Sequence, residues 1–161
     1  MVIVSVALHA QKAQFPLWVL NSFKKLKLDD KYDIKGYLKP VFLQSDFNGD
    51  GVTDAVFQVI ETLKKGIVIL FGNSSRYFVF GAGTNFGNGS DDFKWAGGWK
   101  IYNKKTAYET MVNIDGDLIG SKIRKLKRTA FFIYQLEDGE PVSGGIIYWN
   151  GKKYIWIQQG D

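Results

Sequence analysis

The chain has 161 residues, a formal net charge of +5 and an aromatic content of 16%, enough apolar material for one core in one domain without disulfide staples. It has no cysteine and a single histidine, His9 in the N-terminal segment. That composition excludes thiol nucleophiles and thiolate metal sites, and it leaves the remaining domain without a His-dependent triad or a His-ligated zinc centre.

The first residues, Met1 to Lys12, form an apolar run that closes on small residues. The pattern has the h-region and cleavage zone of a secretory signal, with a cut after Ala7 or Ala10, although no basic n-region precedes it. The competing reading is a first β-strand from Val2 to Leu8. The favoured division is a signal-peptide remnant over residues 1–10 and a single β-rich domain over 11–161, in a secreted or periplasmic location. No stretch approaches the ~18 apolar residues of a membrane-spanning helix. Next, Phe15 to Leu28 reads as one helix. Pro16 suits its first turn, Leu17, Leu20, Phe23 and Leu26 recur at helical spacing, and lysines fall near its end, where the helix dipole favours them.

The stretch Asp46-Phe47-Asn48-Gly49-Asp50-Gly51-Val52-Thr53-Asp54 carries the most chemistry. Asp46, Asn48, Asp50 and Asp54 stand at loop positions 1, 3, 5 and 9, Gly51 at 6, and the Val52 carbonyl at 7. Hard oxygens at these steps suit Ca²⁺, the expected cofactor, better than Mg²⁺ with its strict octahedron or Zn²⁺ with its taste for N and S. Position 12 of an EF-hand requires a bidentate Glu, and here it is Phe57. Val41–Gln44 before the loop and Ala55–Ile60 after it read as strands, so the loop joins two strands. The alternative is a plain hairpin turn whose acids are only solvated.

Downstream, Ile67–Phe71, Arg76–Phe80, Ala130–Gln135, Ser143–Trp149 and Lys153–Gln158 are short runs of β-formers separated by Gly, Asn, Asp or Ser. The fold expected is mainly β (α+β): an antiparallel sheet or sandwich with one N-terminal helix. Between them, Gly81 to Trp99 is a long glycine-rich loop, and its Trp95 and Trp99 are candidate ligand-binding residues projecting from a rigid sheet. Asn113-Ile114-Asp115-Gly116-Asp117 is a weaker echo of the first loop and reads as a turn. Lys122 to Arg128 is the one real basic cluster; it reads as a solvated edge strand, with no helix-turn-helix, zinc-finger or RNP signature to suggest nucleic acid. Asn150-Gly151 predicts a two-residue hairpin pairing Ile147 with Tyr154 and placing Trp149, Tyr154 and Trp156 on one face, more often a core face than a binding face.

The Asp46–Asp54 loop flanked by strands is similar to the calcium loops of integrin-like FG-GAP and VCBS repeats. The resemblance covers residues 41–72 and implies Asp46, Asn48, Asp50, Val52 (by its carbonyl) and Asp54 as ligands. One copy cannot make a propeller. The remainder resembles small exported bacterial proteins without an assigned activity, which implies export and supplies no reaction. The favoured reading is a non-enzymatic, calcium-stabilised binding domain whose partner is a glycan or protein surface. The alternatives are an inhibitor or immunity-type protein for a secreted enzyme or toxin, and a carboxylate-based glycoside hydrolase using Asp91, Asp92, Glu109, Asp115 or Asp117.

Overall fold

The structure, a computed structural model, describes residues 14–160. The expected signal segment and its rival strand, Val2 to Leu8, lie outside the described residues. The fold is mainly β, with antiparallel sheets and one helix near the N-terminus. Its layers run helix, sheet, sheet, hairpin.

Helix α1, Leu17–Lys25, follows Pro16 and carries Lys24 and Lys25 in its last turn. It stops where Lys27 turns left-handed at φ 55°, a common way for a helix to end. It is shorter than the Phe15–Leu28 expected. Its buried residues are Val19 and Phe23, extended by Phe15 just before the helix, while Leu17 faces solvent. The buried residues pack on one face of the first sheet against Ala55, Phe57, Val59, Val68 and Leu70.

That sheet is built around β3, Asp54–Glu61. Strands β1 (Asp33–Ile34) and β2 (Phe42–Ser45) share one edge of β3, β4 (Lys64–Leu70) takes the other, and β5 (Tyr77–Gly81) follows β4. A run of apolar residues uninterrupted by alternation, as in β3, is what burial on both faces requires. Within that run Gln58 is polar and fully buried, as is Asp54 at the start of the strand. Gln58 Oε1 accepts the Tyr37 and Leu38 amides at 2.6 Å, and its Nε2 donates to the Leu38 and Pro40 carbonyls at 3.1 Å. One amide side chain thus satisfies the irregular link that delivers the chain to β2 and the acidic loop.

The second sheet has the order β11-β10-β9-β6, from Tyr154–Gln159, Glu140–Trp149, Ala130–Glu137 and Gly98–Tyr102. Val56, Ile67, Ile69 and Phe80 of the first sheet meet Phe131, Ile133, Ile147 and Trp149 of the second in the main core. On its outer face lies the hairpin β7 (Thr106–Val112) and β8 (Leu118–Lys125), attached through Ala107 and Leu126 to Ala130, Ile146, Tyr148 and Ile157.

The Asn150-Gly151 hairpin differs from expectation in register. Trp149 pairs with Tyr154 and Ile147 with Trp156, so the connection spans Asn150 to Lys153. Asn150 Oδ1 holds the amides of Lys152 and Lys153, which stabilises the longer loop. The shift is by two residues, so Trp149, Tyr154 and Trp156 still share a face. That face is core: Trp149 and Tyr154 are buried in it.

Candidate metal centre

The acidic loop closes the hairpin between β2 and β3, whose last pair is Ser45 with Asp54. Gly49 and Gly51, at φ 82° and 84°, supply the left-handed bends that curl it. Asp46 Oδ1 accepts the amides of Gly49 (2.6 Å) and Asp50 (3.1 Å), and its Oδ2 accepts that of Gly51 at 2.8 Å. Asn48 Oδ1 accepts the Asp50 amide, while Asn48 Nδ2 donates to Asp50 Oδ2 at 2.9 Å. Asp50 Oδ1 accepts the Val52 amide, and that bond holds the Asp50 carboxyl below its ordinary range.

Asp54 occupies a different setting. It is fully buried, with Oδ2 accepting the Phe47 and Asn48 amides and Oδ1 accepting the Gly72 amide at 3.1 Å. Burial pushes its pKa up from 3.8 to about 6, against the opposing pull of those amides. It therefore ties the loop to the end of β4 as well as closing it. Phe47, 1% exposed, adds a second anchor by packing edge-on against Phe131 of the other sheet, with ring centroids 5.5 Å apart. Nearby, the Tyr154 hydroxyl is buried without a hydrogen-bond partner among the described residues, and its pKa is raised by burial and then by the charge of Asp54.

Among the described residues, no three acidic or His side chains gather closely enough to hold a metal ion as they stand. The donor set nonetheless retains capacity. A carboxylate offers about four lone-pair sites. Asp46 Oδ2, Asp54 Oδ1 and Asn48 Oδ1 each accept one hydrogen and keep one site, and the Asp50 carboxylate, which accepts from Val52, Asn48 and Asn73, keeps one of its four. Oxygen-only ligands of this kind suit a hard cation.

The structure corrects the reading of the long loop. Trp99 is 2% exposed, lies in β6 opposite Ile133, and donates its indole N–H to the Pro40 carbonyl at 2.6 Å. It is a core residue, because β6 starts at Gly98 and the loop ends one residue earlier than it. Trp95 is half-buried; its indole donates to the Gly89 carbonyl, and it meets Trp156 edge-on at 6.1 Å. The loop reaches Trp156 because glycines leave room: a Cβ on Gly87 or Gly145 would sit within 2.4 Å of its side chain.

The acids available to a hydrolase have other attachments. Asp91 forms an ion pair with Lys64, Asp92 accepts the Lys65 and Lys94 amides, and Glu109 takes Arg124 Nε at 2.6 Å. Asp115 and Asp117 belong to the β7–β8 turn, where Asn113 Oδ1 accepts both their amides. Three structural contributors escaped the sequence: Phe47, Gly72 and Arg128. Arg128 lies along the loop's outer side, where a Cβ on Gly49 would fall 2.6 Å from its Nε. Long-range contacts of this kind leave no local pattern to read. No known protein family, curated protein or solved structure matches the chain.

Proposed function

We propose that the protein is a secreted or periplasmic binding domain, non-enzymatic, whose Asp46–Asp54 hairpin takes one Ca²⁺ in the manner of FG-GAP and VCBS loops. The observation that carries this reading is the run of oxygen donors at alternate loop positions, each with a lone pair to spare, on a loop already curled by Gly49 and Gly51. Asp46, Asn48, Asp50 and Asp54 would hold the ion by their side chains and Val52 by its carbonyl. Binding exchanges the Asn48–Asp50 side-chain bond for metal contacts. Calcium also offsets the cost of keeping the Asp54 carboxylate ionised in a buried site, which is why it would stabilise the whole hairpin.

The partner surface proposed is the half-buried aromatic patch of Trp95, Trp156 and Phe86, suited to stacking on a sugar ring or clamping a protein loop. Two measurements test these assignments. Melting in calcium and in chelator should differ clearly, by the roughly 2.7 kcal/mol that a hundredfold excess over Kd supplies, and Asp50→Ala should remove the difference. Trp95→Ala should abolish binding on a glycan array while leaving the melt unchanged. A collapsed melt would make Trp95 structural.

A further inference from the structure

The basic cluster follows the exposed strand β8 as far as Lys125 and then leaves it. Lys125, Lys127 and Arg128 wall a cavity of about 430 Å³ between the end of β8 and the β10–β11 turn. Its floor is apolar, from Leu126, Ile155 and Ile157. A volume of this order is that of a small-molecule site. No carboxylate lines it among the described residues, and Arg124, the remaining cation of the wall, is already paired with Glu109.

Two features separate this cavity from a solvated lysine patch. The first is Arg128, which is half-buried between two turns: Gly49 of the acidic loop lies on one side and Gly151 on the other. Its guanidinium has no carboxylate partner among the described residues. The second is Tyr148, 6% exposed, whose hydroxyl oxygen accepts the Lys127 amide at 3.0 Å. That leaves the phenolic proton without an acceptor among the described residues, at the cavity wall. Cationic side chains and one oriented O–H donor over an apolar floor complement a compact oxyanion joined to a less polar body.

We infer that this cavity binds the phosphate or sulfate ester of a sugar-sized molecule, with Arg128 and Lys127 on the oxyanion and the Tyr148 hydroxyl donating to it. The metal reading is independent of this one, since none of the loop's carboxylates lines the cavity. The test is calorimetric titration of the full chain with glucose 6-phosphate, glucose 6-sulfate and glucose at constant ionic strength, in calcium and again in chelator.

The expected result is saturable binding of one ester per chain in both conditions and none of glucose; the ratio of the two esters identifies the anion. Arg128→Ala and Lys127→Ala should each weaken binding tenfold or more, and Tyr148→Phe severalfold, whereas Lys100→Ala on β6 should change nothing. Lys127 is exposed, so its variant keeps the test valid if Arg128→Ala fails to fold. Absence of ester binding, or an equal loss with Lys100→Ala, overturns the proposal. So does binding that requires calcium, which would put the anion on the ion. An oligonucleotide that binds more tightly than either ester and ignores Tyr148→Phe would assign the wall to nucleic acid instead.

Discussion

Two turns of this molecule, Asp46–Asp54 between β2 and β3 and Asn113–Asp117 between β7 and β8, share their local chemistry and differ in how they are embedded. In each, a carboxylate or amide near the start gathers the backbone N–H groups of later residues. The first turn is then fixed at two depths, by Phe47 against Phe131 and by Asp54 beneath Phe47, Asn48 and Gly72. The second sits at the free end of a hairpin whose strand β8 is exposed along almost its whole length, with Ile114 in solvent at its tip. Oxygen spacing alone makes a turn. A buried carboxylate is what couples that turn to the stability of the sheet, and of the two only the first turn has one.

The largest expected difference between them is in packing. Phe47→Ala should cost about 3–5 kcal/mol, as for a buried phenylalanine, while Ile114→Ala should stay within about 0.5 kcal/mol. Urea denaturation of both variants checks this, and similar costs would break the comparison.

The second difference is in pH dependence. Asp54 titrates near 6 in the fold and near 3.8 when unfolded, so between these values the native state binds more protons than the unfolded chain. Metal-free protein should therefore lose stability as pH rises from about 4 to 6 and level off above, by something on the order of 3 kcal/mol from this group. Asp50 has the opposite sign and a lower window, because its depressed pKa withdraws stability only as pH falls below its ordinary 3.8. Melting in chelator across this range should show the decline in the wild type and a flat profile in Asp54→Asn. A flat wild-type profile would mean that Asp54 is not held in a desolvated site.

The smallest effect belongs to the exposed turn. Asn113→Ala removes an acceptor shared by the Asp115 and Asp117 amides, but water replaces it, so the cost should be about 1 kcal/mol or less. Its calcium response should match the wild type. A variant that lost that response would move the metal to the β7–β8 turn.

Much of this architecture was readable because its causes are local. The oxygen spacing of Asp46–Asp54 and the β-branched run of β3 act within a few positions, and the structure places a reversal and a strand there. Trp99 was misread because its role depends on a distant pairing with Ile133, and a preceding stretch rich in glycine hides where β6 begins. Strand β7 mixes Thr, Tyr, Glu and Met without clean alternation, so it gave little signal by itself; it is held by β8 and by Ala107 on the second sheet. The basic cluster read correctly as a strand up to Lys125, but the cavity beyond it is made by Tyr148 and the Asn150 turn, far along the chain. Side chains that meet across layers are set by topology, which a single sequence does not display.

The most direct test of the central claim is calorimetric titration of Ca²⁺ into metal-free protein at pH 7, repeated with Asp50→Ala and with an Asp115→Ala/Asp117→Ala double variant. The account predicts one ion per wild-type chain, no measurable binding to Asp50→Ala, and wild-type binding to the double variant. Absence of binding to the wild type, or binding that survives Asp50→Ala and disappears with the double variant, would contradict it.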